Sequence, residues 1–182
     1  MPTTTQVRRL APLCGLALAL TAPMLGAQQT MKPTVVTAAL SEAHELHERA
    51  EALRTSTIGR KDMKRAAKMH MQAADLRGDR DAETYTCLWT AANLYYGAGD
   101  NRKAGEVMEH AATQAADRGD VVNAASAYLD ASFLATAMSQ PERAVRLGRR
   151  AEGLTSSPLL SESQRATLRA RIATAKEVAL AR

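Results

Sequence analysis

The sequence predicts an all-α protein, built of antiparallel helical hairpins stacked on one another with about seven helices in all, and three observations carry that expectation. Aromatic residues make up only 3% of the 182 residues and β-branched runs are scarce, which leaves little from which to build strands. Apolar residues recur at spacings of three and four from about residue 38 almost to the C-terminus, the period of an amphipathic helix. The breaks between these stretches span only a few residues, so each helix must turn back along the one before it. A charged fraction of 24% beside 46% hydrophobic residues excludes a disordered chain, and 10 Gly with 6 Pro exclude a collagenous or linker-dominated one.

The first stretch, MPTTTQVRRLAPLCGLALALTAPMLGAQQ, has no acidic residue. A basic pair, Arg8 and Arg9, precedes an apolar segment from Leu10 to Leu20, and the small residues Gly26 and Ala27 follow. That order is that of a secretory signal peptide over residues 1–27, cleaved after Ala27, and it implies a periplasmic or secreted protein. Pro12, Pro23 and Gly26 interrupt the run and leave it shorter than the ~20 residues of a spanning helix, so no stable membrane insertion is expected after cleavage. Cys14 follows Leu13 and has almost no apolar segment before it, which excludes a lipid-modified cysteine. Cleavage would leave 155 residues with a net charge of +3 and one thiol, Cys87. No intramolecular disulfide could then form, and Cys87 is expected to be a small buried residue.

A leader at 28–37 precedes a helical domain at 38–182. Segment one, about 38–55, carries Ala43, Leu46, Ala50 and Leu53 on one face. Segment two, about 61–77, carries Met63, Ala67, Met71 and Ala74 and stops at Gly78-Asp79. The third, about 81–96, shows Leu88, Ala91, Ala92 and Tyr95 and ends in Gly97-Ala98-Gly99-Asp100, where glycine suits a left-handed helix cap. Segment four, about 102–117, shows Ala104, Val107, Met108, Ala111 and Ala115 before Gly119-Asp120. The fifth, about 121–138, shows Ala125, Tyr128, Ala131 and Ala135. Ser139-Gln140-Pro141-Glu142 reads as a capping box opening segment six, which carries Ala144, Leu147, Ala151 and Leu154. A second box, Ser161-Glu162-Ser163-Gln164, opens a capping helix at 161–181 with Leu168, Ile172, Ala175 and Ala179 on its stripe, and its Arg165, Arg169, Arg171 and Lys176 form a solubilising face.

The pattern repeats. The spacing of Ala67, Met71 and Ala74 recurs in Ala104, Met108 and Ala111, 37 residues on, and in Ala144, Gly148 and Ala151, a further 40 on. Over Leu88 to Ala111 the sequence NLYYGAGDNRKAGEVMEHA resembles one tetratricopeptide repeat: Leu88, Ala92 and Tyr95 match the inner positions of a first helix, Gly99-Asp100 the turn, and Ala104, Met108 and Ala111 the second helix. The resemblance covers a repeat-like core at 61–154. In its flanking units Ala135 replaces an aromatic, Ser139 the turn glycine and Gly148 a larger packing residue. It implies a short right-handed superhelix whose first helices line a concave face.

All six aromatic residues, Tyr85, Trp89, Tyr95, Tyr96, Tyr128 and Phe133, lie in segments three and five. Tyr95 and Tyr128 fall on the stacking stripe. Trp89, Asn93 and Tyr96 share another face, matched in the next unit by Leu129, Phe133 and Thr136. These six residues are the expected floor of a peptide-binding groove, the rings giving contact area and Asn93 bonding an extended backbone. The alternative is that the rings pack hairpin against hairpin.

No Ser/His/Asp, Cys/His, phosphate-loop or paired-carboxylate pattern stands in a suitable context, so the expected function is that of an exported, non-enzymatic scaffold that binds a protein or peptide and needs no cofactor. The alternative reading is a helical ligand- or metal-binding protein or enzyme using His44 and His47, three apart on one helix turn; a third is a self-associating envelope protein, a homo-oligomer. His44 and His47 are one residue short of the zinc-protease spacing, and His70 and His110 lie far off in sequence, so no metal set is expected. Residues 141–182 hold 9 basic and 4 acidic side chains, which predicts a positive surface in the C-terminal third. Nucleic acid is not an expected partner, because these arginines lack interleaved aromatics.

Overall fold

Alanine decides how closely the helices approach. Ala66, Ala67, Ala73, Ala91, Ala92, Ala104, Ala111, Ala112, Ala127, Ala135 and Ala151 are all wholly buried in one continuous core, where a side chain of a single methyl lets two backbones come near. The computed structural model describes residues 33–56 and 59–180. Among these there are seven helices and no strand: α1 Pro33–Ser56, α2 Arg60–Arg77, α3 Ala82–Gly97, α4 Asn101–Asp117, α5 Val121–Ala137, α6 Pro141–Leu154 and α7 Glu162–Leu180. Each helix from α1 to α6 packs against the next, and α7 lies mainly on α5 with a smaller contact to α6. The protein is therefore an all-α, repeat-like stack of helical hairpins. The expected signal peptide at 1–27 lies outside the described residues. No described helix is long and apolar enough to cross a membrane.

One turn, used three times, sets the spacing of the array. Gly99, Gly119 and Ser139, each 20 residues from the next, adopt φ values of 77°, 76° and 57°. In each case the following N–H reaches back to the helix just ended: Asp100 to Tyr95 O, Asp120 to Ala115 O and Gln140 to Ala135 O, all at 2.9 Å. This is the Schellman closure, and the residue that completes it is also the N-cap of the next helix. Asp100 Oδ1 accepts from Lys103 N–H and Asp120 Oδ1 from Asn123 N–H, so the aspartates start a helix while their N–H groups end one. Two such half-units make the 40-residue spacing seen between Ala104 and Ala144.

The structure alters three expectations. Helix α1 begins at Pro33, inside the expected leader, with proline at the first helical position where its missing N–H costs nothing. Ser139 is not an N-cap. It holds the left-handed position that glycine fills in the two turns before it, Gln140 is the N-cap, and α6 has no side-chain cap bond. The Ser161 box does form reciprocally: Gln164 N–H donates to Ser161 Oγ at 3.2 Å and Ser161 N–H to Gln164 Oε1 at 2.9 Å. The basic residues of α7 are also more than a solvated face. Arg165 donates to the backbone carbonyls of Thr155 and Ser157, Arg171 to Ser126 and Asp130, and Lys176 to Glu152, which fastens α7 to the preceding loop, to α5 and to α6.

Because a side chain in the left-handed region costs about 1 kcal/mol, Ser139→Gly is expected to raise stability slightly, and Gly119→Ser to lower it by about 1 kcal/mol. A Cβ at Gly119 meets nothing within 4 Å, so backbone strain alone is being measured. Thermal unfolding followed by circular dichroism reads both changes, with midpoints moving in opposite directions.

Candidate functional site

An apolar opening lies where α7 departs from the hairpin pattern. Packed chiefly on α5, it leaves a groove of about 840 Å³ bounded by α5, α6 and α7. Leu129, Phe133 and Thr136 enter from α5, Val145 and Gly148 from α6, and Ile172 and Ala175 from α7. Leu129 and Ile172 are buried and form the floor, whereas Phe133 and Val145 are about half exposed and stand along the sides. Gly148 takes the place held by Met108 in the preceding unit. Met108 is buried between hairpins; at Gly148 there is no side chain, and a Cβ built there meets only Ser132 Oγ at 3.7 Å. The missing packing residue is thus part of why the groove is open.

The groove is apolar along its walls and ionic at its rim. Arg171 meets Asp130 at 3.0 Å, Lys176 meets Glu152 at 2.9 Å, and Arg149 is exposed beside them. Burial raises the Asp130 pKa above the ordinary carboxylate value, while the Arg171 guanidinium and a hydrogen bond from the Trp89 indole pull it back. Asp130 therefore ties α5 to α7. Tyr85 of α3 reports the same neighbourhood: burial pushes its phenol up to about 12, with the charges of Asp130 and Asp120 adding to the effect.

The six expected groove residues divide into two groups. Leu129, Phe133 and Thr136 line the opening; the Thr136 hydroxyl donates to Ser132 O at 3.1 Å. Trp89, Asn93 and Tyr96 do not line it and stand on α3, where Trp89 and Tyr96 are 42% and 49% exposed. Asn93 Nδ2 donates to Trp89 O at 3.0 Å. Tyr95 and Tyr128 are buried, and Tyr128 is braced by Thr113 Oγ1 at 3.3 Å and by the Arg150 guanidinium 5.6 Å above its ring. The walls from α6 and α7 were not anticipated. The one sequence signal for them is Gly148, which breaks the Ala-Met-Ala triplet.

Arginines 143 and 150 both meet Glu109, so the basic surplus of the C-terminal third is offset in part by acids of earlier helices. His44 is exposed, whereas His47 turns inward to meet His70 of α2, their rings 5.1 Å apart and edge to face. The His44/His47 pair of the alternative reading is therefore not assembled; His47 instead meets a histidine distant in sequence. Comparison with protein-family models, with curated proteins and with solved structures finds no match to this chain.

Proposed function

We propose that this protein is an exported, non-enzymatic scaffold of the tetratricopeptide-like kind, which holds a peptide segment of a partner protein in the groove between α5, α6 and α7. The observation that carries the reading is the groove itself: an apolar trough of about 840 Å³, walled by half-exposed Phe133 and Val145 and rimmed by ion pairs. Such a surface suits a peptide that seats apolar side chains along the trough while its polar backbone meets the rim. The rings of Trp89 and Tyr96 on α3 are also exposed.

The test is a displayed random-peptide library selected against the full chain. Enriched peptides are expected to share an apolar anchor, and their affinity is expected to fall at least about tenfold in Gly148→Met, which restores the side chain of the other repeats and fills the trough. Phe133→Asp is expected to act likewise. Both positions leave room for the change, so thermal midpoints are expected to stay near that of the parent. Failure to enrich any peptide, or affinity unchanged in both folded variants, overturns the reading.

A further inference from the structure

Away from the groove, three successive helices bring their only thiol and two of their imidazoles to one point. His47 of α1, His70 of α2 and Cys87 of α3 each place a donor atom within 4.8 Å of the others, with His47 Nδ1 3.8 Å from Cys87 Sγ. His70 and Cys87 are buried and His47 half-buried. The surroundings are dry and small: Ala66, Ala67, Ala73 and Ala74 flank His70 on α2, and Ala43 and Ala50 lie on the inward face of α1. His70 is wholly buried, yet neither ring nitrogen has an aligned hydrogen-bond partner. Glu51 Oε1 lies 3.3 Å from His70 Nε2 without hydrogen-bond alignment. A buried polar ring that bonds to nothing is a cost to the fold unless something else is received there.

We propose that His47, His70 and Cys87 form a binding site for a single Zn²⁺ ion, with the Glu51 carboxylate beside it. Two imidazoles and a thiolate are the donor set of a borderline-soft cation, and donors on a tetrahedral zinc lie about 3.3–3.6 Å apart, given bonds of ~2.0–2.1 Å to nitrogen and ~2.3 Å to sulfur. Donors separated by as much as 4.8 Å must therefore close by up to about 1.5 Å as the ion enters. Two imidazoles beside a single thiolate suit zinc better than the more sulfur-seeking monovalent copper. The Cys87 thiol gives its proton to solvent on binding, and the thiolate then offsets one charge of the ion, with Glu51, itself paired with Arg54, beside it. Arg77 approaches Cys87 as well, but its guanidinium is held by Asp81 and Glu83, which offset its charge. The ion would pin α1 to α2 and α3. Helix α1 has the most to gain, because its buried apolar residues are the two alanines, with Leu46 and Leu53 only partly covered.

The test uses the full chain carrying Cys14→Ser, so that Cys87 is the only thiol, reduced, stripped with chelator and titrated with Co²⁺. A single equivalent is expected to produce the near-ultraviolet thiolate-to-cobalt charge-transfer band together with tetrahedral visible bands, both bleached by an equivalent of Zn²⁺. His47→Gln and His70→Gln are each expected to weaken binding by at least about tenfold, and the zinc-loaded parent to unfold at a higher temperature than the stripped one. Absence of the charge-transfer band in the folded parent overturns the proposal. So does a band that persists unweakened in both histidine variants, which would mean a thiol binding metal without the site. His47→Gln changes a half-buried position, so a failure of His70→Gln to fold leaves the outcome decided by His47→Gln.

Discussion

Replacing Leu88 with alanine is expected to lower the unfolding free energy by about 3 kcal/mol or more, a large share of what a domain of this size possesses. Leu88 is 1% exposed and, with Leu147, His70 and Cys87, is among the largest fully buried side chains in the described residues. It sits at the middle of α3, the helix that packs on both α2 and α4. Most of the surrounding core is alanine. An alanine has no rotamer with which to fall into a neighbouring void, so the cavity left by Leu88→Ala persists and adds its own cost to the lost burial. Val145→Ala, at a position 52% exposed, removes apolar surface without a cavity and is expected to change stability by no more than about 0.5 kcal/mol. Urea unfolding followed by circular dichroism distinguishes the two; equal shifts would mean that the alanine core relaxes around the gap.

The same reliance on alanine explains how much of the fold was legible in the sequence. Small residues at spacings of three and four mark the inward stripe whatever the neighbours are, and Gly99-Asp100 and Gly119-Asp120 mark both the left-handed closure and the next N-cap. The helices were therefore readable almost to their ends, apart from α1, whose first residues carry no inward stripe and whose proline marks a start that resembles a leader. Ser139 misled because a serine three residues before a glutamate fits a capping box and a left-handed turn equally well; only the 20-residue beat of Gly99 and Gly119 tells them apart. The groove was half legible for a related reason. Phe133 and its neighbours announce themselves by chemistry, but the opposite wall depends on where α7 docks and on the side chain that Gly148 lacks, and an absence casts no periodic signal. His47, His70 and Cys87 stood in three different stripes, each with an ordinary local explanation, and only the packing of α1, α2 and α3 shows that they meet.

In chelator, with no cation competing for the imidazole, the protein is expected to lose stability on acidification between about pH 6.5 and pH 4, with His70 the cause. Burial pushes the His70 pKa down from 6.5 to about 4, His47 and Arg54 add to the depression, and Glu51 opposes it. The folded protein therefore keeps His70 neutral over a range in which the unfolded chain, with an ordinary histidine, binds a proton. Proton uptake by the unfolded state favours unfolding as the pH falls, so the contribution of the neutral ring is intact above the unfolded value and is lost through this window. The full loss is on the order of 3 kcal/mol, reached near the folded pKa. From about pH 4.5 downward Glu51 adds a second loss: its hydrogen bond from Arg54 holds its pKa under the usual 4.5, so its share disappears as it protonates. His70→Gln removes the titration but keeps a polar side chain at the site. The difference in stability between parent and variant is expected to shrink or reverse from pH 7.5 to pH 4.5, because only the parent carries a group that acid drives out of the core. A difference that stays constant across that range would mean that water or a rearranged Glu51 already serves the ring, and that the alanine shell around His70 is less dry than its packing implies.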